Sequence, residues 1–170
     1  REPFNSASSP TIMTDLLVKL YDLPEMEADT AALTMAGVTV RRAMASEKFR
    51  IAGWVRGRFG DGWAAECDVS FARQPIACMI ALKGDELIGF ACYDSTCRNF
   101  FGPIGVDPDL RHRGVGKGLL LTTLRDMVHT GYAYAVIGSA GPAAFFETCV
   151  NAWPIPESTP GIYQPAIKKT

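Results

Sequence analysis

Gly105-Val106-Asp107-Pro108-Asp109-Leu110-Arg111-His112-Arg113-Gly114-Val115-Gly116-Lys117-Gly118-Leu119-Leu120-Leu121 decides the fold. Residues 100–106 are apolar and interrupted by glycine, which reads as a buried strand, and Asp107-Pro108 ends it. A basic, glycine-rich loop then runs straight into an amphipathic helix. The first N–H groups of a helix have no intrahelical partners and its macrodipole is positive there, so an anion gains hydrogen bonds and charge complementarity together. Gly114, Gly116 and Gly118 let backbone approach such an anion, and Arg111, Arg113 and Lys117 add positive charge. Most glycine-rich turns before helices bind nothing, so the reading depends on the strand before and the helix after, and both are predicted. The spacing is neither that of a Walker loop nor G-x-G-x-x-G. It is R-x-x-G-x-G, on Arg111, Gly114 and Gly116.

Downstream, Leu120, Leu124, Met127 and Val128 form the predicted buried stripe of the helix, with Arg125, Asp126 and His129 away from it. Gly131 ends the helix, where His129 makes a favourable dipole contact rather than serving as a base. Residues 132–137 read as a strand. Because a helix crosses between it and the 99–106 strand, the two are expected to lie parallel in a right-handed βαβ unit. Pro142 opens a short helix over 142–149. Four prolines in 153–167 predict edge strands or an extended hairpin.

Upstream, 76–82 and 86–93 are apolar strands joined by Lys83-Gly84-Asp85, a hairpin turn. With 99–106 they make an antiparallel meander. Gly102-Pro103 is foreign to a central strand and predicts a bulge that frees backbone groups for another partner. Ser46 reads as the N-cap of a helix with Ile51, Trp54, Val55 and Phe59 on one face. Gly60-Asp61-Gly62 breaks it, and a second helix covers 63–73 before Pro75. Trp54 and Trp63 are read as core, and Glu66 and Asp68 as a solvated helix face before any functional use. Residues 37–43 form a β-branched strand, 24–36 a short helix or loop, and 14–23 a strand. Residues 1–13 read as a flexible tail ahead of a single domain over 14–170.

At 170 residues the chain can bury a real core, and a net charge of −1 argues against nucleic acid or acidic membrane as partners. No apolar run approaches the roughly 18 residues of a membrane span, and nothing at the start resembles a secretory signal. Five cysteines, an odd number without C-x-x-C spacing, read as reduced, mostly buried thiols of a cytoplasmic protein, with no metal site.

The R-x-x-G-x-G loop after a strand ending Val-Asp-Pro resembles the pyrophosphate loop of the GNAT superfamily of acyl-CoA-dependent N-acetyltransferases. The element order over residues 37–165 is similar to that fold too. Ala144-Phe145-Phe146-Glu147-Thr148 is similar to the family's A-x-F-Y-E-K stretch. The resemblance implies an α/β (α+β mixed sheet) fold with an antiparallel meander, a parallel βαβ unit and a splayed central strand pair. It further implies acetyl-CoA as cosubstrate: backbone at Ile104, Gly105 and Val106 for the pantetheine arm and thioester oxygen, and the loop Arg111, His112, Arg113, Gly114, Val115, Gly116 and Lys117 for the pyrophosphate. The implied reaction is direct acetyl transfer in a ternary complex to a primary amine, expected to be a small molecule. A carboxylate must take the amine's proton, a backbone N–H stabilise the oxyanion, and an acid protonate the thiolate. For the base, Glu66 ranks first and Asp68 second. The usual acid is the tyrosine of F-Y-E-K, but this chain has Phe146, so either Tyr163, Tyr134, Tyr93, Ser139 or solvent replaces it, or the transfer is slow or absent. Three readings stand: an N-acetyltransferase, a non-catalytic acyl-CoA-binding or sensing module, and an interaction domain that keeps only the fold. The acceptor, the acyl length and whether the chain forms a homodimer are left open.

Overall fold

The computed structural model describes residues 13–111 and 113–163; the tail read over 1–13 lies almost wholly outside them, as does the stretch beyond 163. Among the described residues seven strands form one mixed sheet: β1 (Leu16–Lys19), β2 (Val38–Arg42), β3 (Cys78–Lys83), β4 (Glu86–Tyr93), β5 (Phe100–Val106), β6 (Tyr134–Ile137) and β7 (Trp153–Pro154). Five α-helices among the described residues accompany them: α1 (Glu27–Met35), α2 (Lys48–Phe59), α3 (Asp61–Ser70), α4 (Val115–His129) and α5 (Ala143–Val150). The spatial order is β2-β3-β4-β5-β6-β1-β7. The predicted meander β3-β4-β5 is antiparallel, and β5 and β6 are parallel across α4.

Strand alternation sorts the core onto two faces. Cys78, Ile80, Phe90 and Cys92 meet Ile51, Val55, Ala64 and Cys67 of α2 and α3. Met79, Ala81, Ala91 and Tyr93 join Leu33 of α1, Leu119, Leu120 and Leu124 of α4 and Phe146 of α5 in a larger cluster. Each such large side chain contributes about 1.5–3 kcal/mol on burial.

The bulge predicted at Gly102-Pro103 is present. Ala91 pairs with Ile104 and Tyr93 with Phe101, so Cys92 alone faces both residues. The pairing of β5 with β6 is limited to Phe100 with Val136 and Phe101 with Ile137. Beyond these, the strands separate toward Val106.

Local differences from the sequence reading have identifiable causes. The 14–23 strand is shortened to β1 because a 3-10 turn, Leu20–Asp22, takes its second half. Only Gly60, at φ 90°, breaks the α2–α3 pair, so α3 starts at Asp61 and ends at Ser70. Ser46 caps nothing; it lies in a 3-10 turn, and the Glu47 carboxylate accepts the Met44 N–H at 2.8 Å. On α4, Val128 is exposed, while Asp126, expected outside, is only 8% exposed. The Arg42 guanidinium pairs with Asp126 on one carboxylate oxygen, and the Tyr93 hydroxyl donates to the other at 2.8 Å.

Candidate active site

The divergence of β5 and β6 opens a cavity of about 500 Å3. Its wall is built from four elements. Strand β5 supplies Ile104, Gly105 and Val106; the loop and first turn of α4 supply Arg111, Gly114, Gly116 and Lys117; α5 and the residue before it supply Pro142, Phe145 and Phe146; and the α2–α3 corner supplies Phe59 and Trp63.

The basic end is made by the turn into α4. Gly114 sits at φ 81°, a left-handed conformation that costs glycine no side-chain clash, and it starts α4 abruptly. Among the described residues the first main-chain bond of the helix is Gly118 N–H to Gly114 O at 2.9 Å, and the N–H groups of Val115 and Lys117 make none. A Cβ at Gly116 would meet Phe145 at 3.6 Å, ordinary contact. Amides without a helical partner, a positive helix end and Arg111 on the wall suit a phosphate-bearing ligand. Lys117 differs from expectation: its Nζ lies 2.8 Å from Asp29 of α1, which already balances its charge. Arg113 is exposed and off the wall, Val115 is buried in the core, and His112 lies outside the described residues.

The opposite end is aromatic. Phe59 and Trp63 stack with centroids 5.1 Å apart, and both rings lean on Phe90. A Cβ on Gly105 would lie 2.6 Å from the Phe59 ring, so glycine is what lets β5 pass beneath it. Arg58 anchors this corner by binding Asp107, at the exit of β5, at 2.8 Å while lying over Trp54 at 4.4 Å. The Arg58 hydrogen bond is the main cause that holds the Asp107 carboxyl below its ordinary pKa. Helical spacing had assigned Trp63 to the core; it is instead part of the cavity wall. Phe59, Pro142 and Phe145 were equally unforeseen as wall residues, because only the α2–α3 turn and the β6–α5 turn bring them to β5.

The sequence-ranked catalytic residues are scattered. Glu66 lies one turn after Trp63 on α3 and accepts a hydrogen bond from the Thr96 hydroxyl. Asp68 is exposed and pairs with Lys48 at 3.1 Å. Neither carboxylate is on the cavity wall. Tyr93 donates its hydroxyl to Asp126, and burial first, then that bond, pushes the hydroxyl up to about 12; it is not on the cavity wall. The Tyr134 hydroxyl bonds that of Tyr21, and Ser139 gives its N–H to Asp15. Tyr163 ends a 3-10 turn, Gly161–Tyr163; its side chain is outside the described residues. Phe146 is buried edge-on against Phe101 and Phe145.

No curated protein matches the chain in sequence. Among solved structures, the region described as a GCN5-related glucosamine N-acetyltransferase in a fungal multi-domain GH3 β-N-acetylglucosaminidase superposes with a TM-score of 0.70 at 14% identity, over 86% of this chain and 20% of that one. A GCN5-related N-acetyltransferase from Sphaerobacter thermophilus gives 0.62 at 14% identity, over 84% and 48%. One from Kribbella flavida gives 0.56 at 18%, over 85% and 55%. The chain thus spans from a fifth to about half the length of these structures, and at such identities the likeness is one of fold. The sequence profile of the Acetyltransferase (GNAT) family matches residues 47–147, from the start of α2 through the basic loop to α5. With its mixed sheet, its divergent β5–β6 pair and a basic loop at the mouth of the cavity between them, the chain belongs to the GNAT acetyltransferase family.

Proposed function

We propose that the chain transfers an acetyl group from acetyl-CoA to the primary amine of a small molecule, directly, in a ternary complex. One observation carries this reading: a single cavity joins the free amides and Arg111 at the start of α4 to the bared backbone of β5 at 104–106. The first end suits a pyrophosphate. The second suits an amide-like arm and a thioester oxygen, because strand N–H and C=O groups without a neighbouring strand need partners. Glu66, one turn from Trp63, takes the acceptor's proton through water; Asp68, held by Lys48, is the second candidate. Tyr163 or solvent returns a proton to the thiolate in place of a tyrosine at 146.

Calorimetric titration of acetyl-CoA and of CoA tests the site, with Arg111→Ala/Gly116→Glu as control. Binding is expected, and its loss in the control. The amine acceptor is sought by following thiol release across a panel that includes glucosamine, named for the fungal region above. Glu66→Gln should then lower kcat by about 100-fold or more with CoA binding unchanged. Silence across the panel with CoA still bound would favour a non-catalytic acyl-CoA-binding module, the reading that buried Phe146 supports; in that case Phe146→Tyr creates no activity. Failure to bind any CoA species would leave the interaction domain.

A further inference from the structure

Cys67 on α3, Cys78 on β3 and Cys92 on β4 share no sequence motif, yet the fold brings their three Sγ atoms within 4.8 Å of one another, with each residue fully buried. The convergence has simple causes. Cys78 and Cys92 are direct cross-strand partners on the face that also carries Ile80 and Phe90. Helix α3 crosses that face with Ala64 and Cys67 on its buried side. Sulfurs held at about 2.3 Å from one small ion sit about 4 Å apart in a trigonal arrangement, so the triad needs to contract by less than about 1 Å.

The donors define the ligand. Among the described residues the cluster contains three sulfurs and neither carboxylate nor imidazole, and its neighbours Ala43, Ile51, Val55 and Phe90 are apolar. Soft thiolates select Cu(I) or Zn(II) among biological ions. Tetrahedral zinc needs a fourth donor. The nearest hydroxyl along α3, that of buried Ser70, donates to the Cys67 carbonyl at 2.6 Å, and a neutral serine is not among the cysteine, histidine and carboxylate ligands zinc takes. We infer that Cys67, Cys78 and Cys92 form a binding site for a thiophilic d10 ion, Cu(I) foremost, which staples α3 to the β3–β4 hairpin. Each S–Cu bond formed at a thiolate replaces an S–H bond whose proton leaves to solvent; the ion enters already reduced, so no electron moves. The staple lies behind Phe90, whose ring supports Phe59 and Trp63 of the cavity wall.

Because the cluster is sealed, the full chain is refolded from urea without oxygen in the presence of Cu(I) held by a weak competing ligand, and in parallel with Zn(II). The expected result is one Cu(I) per chain, a thiolate-to-metal band in the near ultraviolet, a raised melting temperature, and X-ray absorption showing sulfur neighbours at about 2.3 Å. Cys67→Ala and Cys92→Ala should lose the ion, whereas Cys97→Ala and Cys149→Ala keep it. No retained ion, a nitrogen or oxygen shell, or retention by the triad variants overturns the site. Retention of zinc alone through these cysteines overturns the copper assignment. The absorption measurement uses the unaltered chain, so it decides even if an alanine variant misfolds.

Discussion

Asp126 is where single-residue reading and structure part most clearly. A carboxylate late on an amphipathic helix reads as solvated, and the partners that bury it, Arg42 on β2 and Tyr93 on β4, are legible only once the sheet is assembled. Removing one member of a buried pair leaves the other charge uncompensated. Arg42 keeps about a third of its side chain in solvent, so Asp126→Ala should cost the low end of that penalty, about 2–3 kcal/mol in urea unfolding. Asp126→Asn should cost less. Glu47 gives a pH signature. The Arg41 guanidinium, bound at 2.6 Å, is the main cause that lowers its carboxyl from 4.5 to about 2. A depressed folded-state pKa gives stability that is whole above the ordinary value and lost as pH falls from there toward 2. With both side chains partly in solvent, about 1 kcal/mol is expected. Melting temperatures of Glu47→Gln and the parent should therefore differ at neutral pH and converge only as pH falls to about 2 and below.

At the scale of elements, the strand, loop and helix around Arg111 were legible because their signals are local: an apolar run, a Pro stop, glycines and a helical stripe. The bulge at Gly102-Pro103 was legible for the same reason. The aromatic corner was not, since Phe59 reaches Gly105 only after α2, α3 and two further strands have been placed. That contact yields a sharp expectation. Gly105→Ala would push a Cβ to 2.6 Å from Phe59 and 3.0 Å from Phe90, two rings packed against each other with centroids 5.8 Å apart and little room to move. It should lower stability by about 1–3 kcal/mol and weaken CoA binding, whereas Gly116→Ala, with its nearest neighbour at 3.6 Å, should unfold like the parent. Paired melting and calorimetric curves separate the two.

Across the whole molecule, the sheet closes through a strand from the start of the chain. The 14–23 segment was recognised as extended, but alternation along one segment says nothing of its neighbours, and the insertion of β1 between β6 and β7 depends on pairs such as Leu16 with Ile137 and Leu17 with Trp153. Without β1, strand β6 would present a bare edge beside the cavity. A chain shortened to start at Glu25 should lose cooperative unfolding and CoA binding together, as read by near-ultraviolet circular dichroism and calorimetry. The same placement matters during synthesis. Leu16 and Val18 leave the ribosome more than a hundred residues ahead of their partners on β6. The nascent chain therefore carries an unsatisfied apolar strand until β6 has been made, and it is during that interval, rather than in the folded domain, that a chaperone has something to hold.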